Sequence, residues 1–428
     1  MIVERFLSTD PHARIAAAVL RLVFGDAYAR RFAIRLWDGT EIPAEQHAEF
    51  TFVINSPGAL RAAFRPPVDL SAGRAFAAGL LEIEGDMEVA VDTLYEALAK
   101  LPRLAMPRIL SLLLRLPKVE LPPLHEARLN GRLHSRERDR AAIEYHYDQP
   151  VDFYRTFLDR ELVYSCAYYD VGVDTLDDAQ LAKIDYILRK LQLTRGDRLL
   201  DIGCGWGALV VRAAKRYGAD VLGVTLSRTQ YEEAQRRIAA AGVEHHARVE
   251  LWDYRELPKT TFDKIVSVGM FEHVGRSKLP EYFKTAFGLL KAGGLFLNHG
   301  IAEQGPERRG GKSSGFMERF VFPDGELVAV SDALLVAERA GFEIRDVENL
   351  REHYKRTLRA WVANLERNRD AAVAVAGLQA YRTWRLYMAG SAQGFRIGRL
   401  GLFQALLAKP EADGHVDVPP TRRELYAG

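Results

Sequence analysis

The sequence predicts an α/β protein with a mostly parallel sheet in its C-terminal part and a smaller α+β domain at its N-terminus. Two observations indicate the larger domain: strand and helix patterns alternate over residues 198–301, and a glycine-rich turn follows the first strand. Such alternation is typical of a parallel sheet covered by helices on both faces. The strand patterns are "RLLDIGCG", "ADVLGVTLS", "RVELWDY", "FDKIVSVGM" and "GGLFLNHGI".

The chain divides into three predicted parts. Residues 1–117 form the N-terminal domain, in which the alternating runs "RFAIRLWDGT" and "FTFVINSP" predict strands. The run "LLEIEGDMEVAV" predicts a strand and a helix around a Gly-Asp turn. Residues 118–142 are charged and contain prolines, which predicts a linker. Residues 143–428 form the second domain, which we expect to be mostly helical from 351 to about 408.

The stretch "LPRLAMPRILSLLLRLPKVE" combines an apolar stripe with Arg103, Arg108 and Arg115. A helix of this kind either packs against a neighbouring element or lies on a membrane surface. Packing is the favoured interpretation and the membrane surface is the alternative.

Charge and cysteine content narrow the class of protein. The net charge is +2, which does not predict a nucleic-acid partner. The two cysteines, Cys166 and Cys204, are too few for a disulfide framework and fit a reducing cytoplasm. The first residues do not resemble a signal peptide, and no run approaches the roughly 20 apolar residues that span a bilayer. We therefore expect a cytoplasmic protein whose membrane contact, if it has any, is peripheral, at the inner face of the membrane.

The glycine turn "LLDIGCGWGAL" places Asp201 at a strand end and Gly203, Gly205 and Gly207 before a helix. It fits the dinucleotide fingerprint, with Ala208 in the third position. A nicotinamide enzyme would also require an acidic residue at the end of the next strand, and that strand ends in "VTLS". The turn resembles motif I of the class I, Rossmann-like S-adenosylmethionine-dependent methyltransferases, and "FDKIVSVGMFEHV" resembles the fourth strand of the same fold.

Nine motifs follow one another through most of residues 144–361: "EYHYD", "YSCAYY", "AQLAKIDYILRKLQL", "LLDIGCGWG", "GVTLSRTQ", "FDKIVSVGMFEHVG", "LNHGI", "ERFVFPDG" and "HYKRTLRAW". Together they resemble the cyclopropane-fatty-acyl-phospholipid synthases and their mycolic acid relatives, and their order makes the resemblance specific. One departure is "HYDQPVDFY", where the family often has a Gly-Asn pair, in the segment that covers the cofactor. The N-terminal domain lies outside the motifs and distantly resembles a sterol-carrier-type lipid domain.

The resemblance implies methylene transfer from S-adenosylmethionine to the cis double bond of unsaturated phospholipid acyl chains in the bilayer. The alkene would attack the sulfonium methyl, and a bound bicarbonate would deprotonate the resulting carbocation as the ring closes. Such a cation needs a dry site, and aromatic faces stabilise it. By motif, the bicarbonate ligands are Cys166, Glu272, His299, Ile301 and Tyr354. Cys166 would contribute mainly through its backbone; without the resemblance it is most simply a small buried apolar residue.

The resemblance also assigns cofactor-binding residues. Tyr164 and Ser165 resemble the segment that closes over the cofactor, and Thr225, Leu226 and Gln230 stand in place of the usual ribose-binding acid. The remaining assignments are Asp201, Gly203 and Gly205 at the methionine part, and Asp253 and Tyr254 at the adenine. No metal is expected, because His273 and His299 lack a further ligand at suitable spacing.

Other products and roles remain open. Loss of a different proton would give a methyl or methylene branch, and an inactive fold would be a non-catalytic lipid-binding protein. A homodimer is the expectation for this family. Four arginines either contact anionic headgroups or form a solvated helix face: Arg356, Arg359, Arg396 and Arg399.

Overall fold

The computed structural model describes residues 9–25, 31–44, 47–147, 149–305 and 315–423. They form two compact units, and the chain passes between the units more than once. The first unit comprises residues 1–126, 314–321 and 365–393, and the second comprises 127–313, 322–364 and 394–428. The predicted boundaries at 117 and 142 stay a prediction; residues 117–130 carry neither helix nor strand.

The N-terminal part of the first unit is a four-stranded sheet with helices. The sheet order is β2-β1-β3-β4, with β1 and β3 parallel and the other pairs antiparallel. Both predicted strands and the Gly-Asp turn are confirmed, and Asp86 caps the following helix by accepting hydrogen bonds from the amides of Glu88 and Val89. The elements are α1 (Pro11–Phe24), β1 (Phe32–Arg35), β2 (Glu41–Ile42), β3 (Phe50–Ile54), α2 (Ala59–Ala63), α3 (Val68–Ala77), β4 (Leu81–Gly85), α4 (Met87–Lys100) and α5 (Met106–Arg115).

The remaining elements build the second unit and return twice to the first. They are α6 (Arg136–Tyr147), α7 (Val151–Arg155), α8 (Leu176–Lys190), β5 (Arg198–Ile202), α9 (Ala208–Arg212), β6 (Asp220–Val224), α10 (Arg228–Ala241), β7 (Ala247–Glu250), β8 (Phe262–Val268), α11 (Leu279–Leu289), β9 (Leu290–Glu303), α12 (Gly315–Phe320), α13 (Val330–Arg339), β10 (Glu343–Asn349), α14 (Arg351–Arg367), α15 (Arg369–Arg396) and β11 (Leu400–Ala408).

The second unit is organised around a seven-stranded sheet of order β10-β11-β9-β8-β5-β6-β7. The five predicted strands, β5 to β9, pair in parallel with one another, as expected. The expectation of mostly helical structure to about 408 is wrong at its end. The run "LGLFQALLA" is β11, which pairs antiparallel with β9 and β10. It follows Gly398 and is apolar at nearly every position, and such runs form buried strands as readily as helices.

Helices cover both faces of this sheet. Leu199 of β5 packs in the cluster that contains α8, α9 and α10, and its neighbour Leu200 packs in the cluster that contains α11 and α13. Successive strand residues point to opposite faces, so a strand buried on both sides needs apolar residues at every position. The carboxyl ends of β5, β6 and β8 share one edge of the sheet, and the residues that follow them line the candidate site.

Helix α5 packs on one side and is exposed on the other. Ile109 and Leu113 are buried, and the helix contacts α1, so the predicted packing is confirmed for that side. Met106, Leu110 and Leu114 are exposed. The side chain of Arg103 lies outside the described structure. No helix among the described residues has both the length and the apolar character to cross a bilayer.

Candidate active site

The turn after β5 has glycine at three positions, where its backbone adopts conformations that side chains disfavour. Gly203, Gly205 and Gly207 have φ angles of 82°, 53° and 84°. A Cβ at Gly203 would lie 2.9 Å from the Cβ of Met270, and one at Gly207 would lie 3.0 Å from that of Ala234. A Cβ at Gly205 would meet no atom within 4 Å. The turn is therefore packed tightly at two glycines and leaves open space at the third.

This turn lines a cavity of about 1190 Å³, a volume that includes the solvent at its mouth. All ten residues that the sequence assigns to the cofactor line it, although they come from separate segments of the chain. Their binding role stays a prediction, and the structure adds that they surround one cavity. These residues are Tyr164, Ser165, Asp201, Gly203, Gly205, Thr225, Leu226, Gln230, Asp253 and Tyr254.

The end of β6 offers a hydroxyl and an amide where a ribose-binding acid would stand. The hydroxyl of Thr225 donates a hydrogen bond to Oε1 of Gln230 at 2.8 Å. Ser227 caps α10, and its hydroxyl accepts from the amide of Gln230 at 3.3 Å. The Thr225–Gln230 pair is thus fixed before any ligand arrives.

Asp253 is buried and already engaged by a neighbour. Arg255 donates to its two carboxylate oxygens at 2.9 Å and 2.7 Å. Burial raises the pKa of Asp253, but the hydrogen bonds from Arg255 outweigh burial and hold this pKa below its usual range. Arg255 also lies 3.1 Å from Asp139 of α6, which lines the same cavity. If Asp253 binds the adenine of the cofactor, it does so with Arg255 already bound to its carboxylate.

The segment with Tyr164 and Ser165 is held in place by three buried polar side chains. The carboxylate of Asp159 accepts from the amides of Glu161 and Val163 at 2.8 Å and 2.9 Å. Nζ of Lys183 donates to the hydroxyl of Ser165 at 2.7 Å. The third is Gln180, whose Nε2 donates to the carbonyls of Val163 and Ser165.

Sequence reasoning did not assign a role to Gln180 or Lys183, although both belong to the quoted motif "AQLAKIDY". Lys183 and Asp201 line the cavity together. Burial lowers the pKa of Lys183 to about 8 and raises the pKa of Asp201 to about 7. Both groups thus titrate close to neutrality. A signal was available, because a lysine on the buried side of an amphipathic helix needs a polar partner.

The five residues assigned to bicarbonate fall into two groups, each held by short contacts in the interior. Oε1 of Glu272 accepts a hydrogen bond from the amide of Ile301 at 2.7 Å, and His299 lies two residues earlier on the same face of β9. On the other side, the amide of Tyr354 donates to the carbonyl of Leu350 at 3.1 Å. Sγ of Cys166 lies 3.9 Å from the same carbonyl.

Leu350 connects these two groups, because its amide donates at 2.7 Å to the carbonyl of Leu402. Leu402 is the cross-strand partner of Ile301. Cys166, Glu272, His299 and Tyr354 are all buried. Sequence neighbours of Cys166 and Glu272 line the cavity that the cofactor residues surround. They include Ser165, Met270 and His273.

Two buried polar atoms in this group have no hydrogen-bond partner among the described residues. They are Oε2 of Glu272 and Nε2 of His299. Burial raises the pKa of Glu272 to about 7 and lowers the pKa of His299 well below its usual value, so this histidine is neutral. Buried polar groups are nearly always paired, and such orphan atoms indicate an absent partner. The described residues contain no group of three His, Cys, Asp or Glu side chains that could hold a metal ion.

Comparison with known proteins adds the family. A family model described as "Mycolic acid cyclopropane synthetase" matches residues 134–405, which is more than half of the chain. The chain belongs to the mycolic acid cyclopropane synthetase family. The predicted resemblance is therefore confirmed at the level of the family, and the protein is an S-adenosylmethionine-dependent methyltransferase of this family.

Named relatives match most of their own length. The chain described here is 40% identical over 399 residues to a "Probable fatty acid methyltransferase" from Pseudomonas putida. The match covers 92% of this chain and 95% of the relative. It is 38% identical over 274 residues to "Cyclopropane mycolic acid synthase 1" from Mycobacterium tuberculosis, covering 62% of this chain and 95% of that protein.

Two solved structures share the fold. The cyclopropane synthase MmaA2 from Mycobacterium tuberculosis has a TM-score of 0.60 and 33% identity, covering 63% of this chain and 98% of that one. The mycolic acid cyclopropane synthase CmaA1, solved with SAH and CTAB, has a TM-score of 0.59 and 36% identity, covering 63% and 97%. The predicted fold class is thereby confirmed: a class I S-adenosylmethionine methyltransferase fold with a seven-stranded C-terminal sheet and a small N-terminal sheet domain.

Proposed function

We propose that this enzyme transfers a methylene group from S-adenosylmethionine to the cis double bond of unsaturated phospholipid acyl chains and closes a cyclopropane ring. The observation that carries the proposal is a pair of buried atoms without a hydrogen-bond partner among the described residues, Oε2 of Glu272 and Nε2 of His299. Ring closure requires a base that removes a proton from the transferred methyl group where water is excluded, and these two atoms offer a buried polar position for it. The names of the cyclopropane-forming relatives support the same chemistry.

The residues present fit both small molecules that this reaction requires. S-Adenosylmethionine supplies the electrophilic methyl group, and the ten cavity-lining residues would hold it around the open space at Gly205. Bicarbonate supplies an oxygen base. Glu272 in its protonated form and His299 in its neutral form are both able to donate a hydrogen bond, so the two orphan atoms match the oxygens of a small oxyanion. Cys166, Ile301 and Tyr354 complete the proposed set.

Aromatic side chains would stabilise a cationic acyl chain near this site. The rings of Tyr164 and Trp361 lie 5.2 Å apart, and that of Tyr354 lies 6.0 Å from Trp361. Their faces carry negative partial charge that attracts a cation, and their bulk excludes water. CTAB, found with the related CmaA1, is a single-chain lipid-like cation and is consistent with such an environment in that protein.

We further propose that the enzyme acts as a peripheral protein on the cytoplasmic face of the membrane, with α5 as a contact. Its exposed Met106, Leu110 and Leu114 are spaced by four residues and so share one helix face. Neither α5 nor α1, against which it packs, contains an acidic residue, and Arg108 and Arg115 of α5 are exposed. An apolar face with cationic flanks suits an anionic bilayer.

Of the four arginines that the sequence offers for headgroups, Arg356 is less suited to this role. Arg356 pairs with Asp174 at 2.9 Å and stacks 4.0 Å from the ring centre of Tyr169, so its guanidinium is already engaged. We keep the homodimer expected for the family as part of the proposal. Sedimentation equilibrium measures it directly.

A specific observation favours a second product. The Pseudomonas putida relative is described as a probable fatty acid methyltransferase, and methyl or methylene branching shares the first step of ring formation. The test incubates the purified enzyme with unsaturated phospholipid vesicles, S-adenosylmethionine and bicarbonate, and follows the lipid by mass spectrometry and proton NMR. Gain of one CH2 with upfield ring protons and loss of the olefin supports the synthase. Gain with the olefin retained supports branching, and cofactor binding without any gain supports a lipid-binding role.

A further inference from the structure

A buried chain of hydrogen bonds runs behind His299 and ends at a fully buried lysine. Nδ1 of His299 lies 3.2 Å from Nε2 of Gln404, its direct cross-strand partner in the β9–β11 pair. Oε1 of Gln404 accepts a hydrogen bond at 3.0 Å from Nζ of Lys190, the last residue of α8. Lys190, His299 and Gln404 are each at most 1% exposed, so no solvent competes with these bonds.

Carboxylates keep the lysine in this place. Nζ of Lys190 lies 2.5 Å from Oε2 of Glu348 and 3.5 Å from Oδ2 of Asp346. The hydroxyl of Tyr186 donates to the same oxygen of Glu348 at 2.8 Å, and the ammonium lies 4.4 Å from the centre of the Tyr186 ring. A buried ammonium with two acidic neighbours and a hydrogen-bonded amide is well compensated. Lys190 is therefore the fixed cationic end of this chain of hydrogen bonds.

The direction of each hydrogen bond follows from that cation. An ammonium has only donors, so it requires the oxygen of the Gln404 amide, and the NH2 group must then point to His299. The NH2 group has only donors as well, so Nδ1 of His299 must accept and carry no proton. In a neutral imidazole the proton is then on Nε2. Nε2 is the atom of His299 that has no partner among the described residues.

We propose that Gln404, oriented by Lys190, is a positioning residue that holds His299 in the Nε2–H tautomer, so that His299 donates a hydrogen bond to the bicarbonate. The inference rests on the proposed function for the identity of the oxyanion. In this arrangement the histidine binds and orients the base and does not act as the base itself. The opposite tautomer would aim a lone pair at an anionic oxygen and repel it.

The test measures the tautomer directly and does not depend on turnover. Protein labelled with 15N in the histidine rings reports on each ring nitrogen by NMR, and His299→Gln identifies the signals of His299 by difference. In the unmodified protein we expect a protonated Nε2 and an unprotonated Nδ1. In Gln404→Glu a carboxylate faces Nδ1 and can only accept, so we expect the proton to move to Nδ1.

Bicarbonate dependence supplies the second readout. Gln404→Leu removes the donor to Nδ1, and we expect the bicarbonate concentration for half-maximal rate to rise about 10- to 100-fold, by analogy with the loss of the second hydrogen-bond partner of a metal-binding histidine. The KM for S-adenosylmethionine should stay unchanged. Gln393→Leu, a buried glutamine of the first unit, is the matched control and should change neither value.

The outcomes separate the inference from the proposed function. A proton on Nδ1 of His299 in the unmodified protein overturns the inference, and so does a Gln404→Leu variant with unchanged tautomer and bicarbonate dependence. If turnover needs no bicarbonate but the tautomers are as expected, bicarbonate is not the base, and the positioning role of Gln404 is still supported. Because the tautomer is measured in the unmodified protein, it decides the matter even if the Gln404 variants fail to fold; only His299→Gln, which assigns the signals, has to fold.

Discussion

Glu272 is the residue whose protonation most affects the candidate site. Burial raises its pKa from 4.5 to about 7, so the native state holds this proton more tightly than the unfolded chain does. Between these two pH values the unfolded state loses the proton first, and the free energy of unfolding falls as the pH rises. A shift of this size corresponds to up to about 3 kcal/mol at pH values above the native pKa.

Glu272→Gln should remove this pH dependence, because an amide has no charge to bury. Its oxygen still accepts from the amide of Ile301. We expect the variant to gain up to about 3 kcal/mol in stability relative to the unmodified protein between about pH 5 and about pH 8. Urea unfolding at both pH values, without bicarbonate, measures the difference. The exposed Glu244→Gln is the matched control. If the difference in stability between Glu272→Gln and the unmodified protein were the same at both pH values, Glu272 would not be a buried titrating carboxylate.

Cys166 should matter through its backbone and not through its thiol. Burial raises the pKa of the Cys166 thiol far above its usual value, and the sulfur donates to the carbonyl of Ala167 at 3.2 Å. A protonated, buried thiol is a poor nucleophile. We therefore expect Cys166→Ala to keep kcat within about tenfold, or 1.4 kcal/mol, and native protein to resist alkylation by iodoacetamide. Rapid alkylation that is accompanied by loss of activity would instead show that the thiol of Cys166 is reactive.

At the scale of single residues, the resemblance to the family assigned the cofactor residues, and all but Tyr164 and Ser165 lie at or after the ends of β5, β6 and β7. It did not identify Lys190 and Gln404. They lie 214 positions apart, and they meet only because β11 pairs with β9 directly opposite His299. Since β11 was expected to be helical, no pattern in the sequence could place Gln404 beside this histidine.

At the scale of elements, strands and helices with strong periodicity were predictable and short apolar runs were not. Strands β5 to β9 alternate with helices, and each helix shows which side it buries. The run that forms β11 is apolar at nearly every position, so it lacks the period-2 or period-3.6 signal that separates strand from helix. Its neighbours in the sheet decide its conformation.

Helix α5 gives the prediction that belongs to this scale. Leu110→Glu with Leu114→Glu places two charges on its exposed apolar face, and burying them in a lipid interface is unfavourable. We expect binding to anionic vesicles, measured by co-sedimentation, to fall sharply while the melting temperature stays unchanged. Arg108→Gln with Arg115→Gln should weaken the same binding by about 1 kcal/mol for each charge removed and should leave binding to neutral vesicles unaffected.

Leu335→Glu provides the matched control for the leucine variants. Leu335 is 47% exposed on α13, close to the 55% of Leu110, but it lies on a helix that also carries acidic residues. Vesicle binding should survive this change. If all the leucine variants lost binding equally, general surface hydrophobicity and not α5 would be responsible. If none lost it, another surface would mediate the membrane contact.

At the scale of the whole molecule, the first unit is assembled from segments far apart in the chain. Residues 314–321 and 365–393 join it after the chain has built most of the second unit. The helical prediction for residues 351 to about 408 covers α15 but not α12, and it does not identify the apolar surface against which α15 packs. The sequence therefore offered contiguous domains, and their boundaries stay a prediction.

The closing prediction concerns this return of the chain. Arg385 of α15 is buried, and its guanidinium donates to the carbonyls of Ile83 and Gly85 at 2.8 Å and 3.1 Å and to Glu366 at 2.6 Å. A fragment of residues 143–428 would lack these two carbonyls together with the sheet that carries them. Arg385 would then face water on that side, and the first unit would lose the buried apolar residues of its N-terminal sheet.

We therefore expect this fragment to be much less stable than the full chain, to bind a hydrophobic dye and to aggregate on heating, although "Cyclopropane mycolic acid synthase 1" matches only 62% of this chain. In the full chain, Arg385→Met should destabilise the protein because the carbonyls of Ile83 and Gly85 lose their donor. In the fragment, which lacks both carbonyls, the same substitution should have little effect on stability. Thermal unfolding of these four proteins measures the two effects. Equal effects in fragment and full chain would mean that Arg385 does not depend on the N-terminal sheet, and that the second predicted domain is independent of the first.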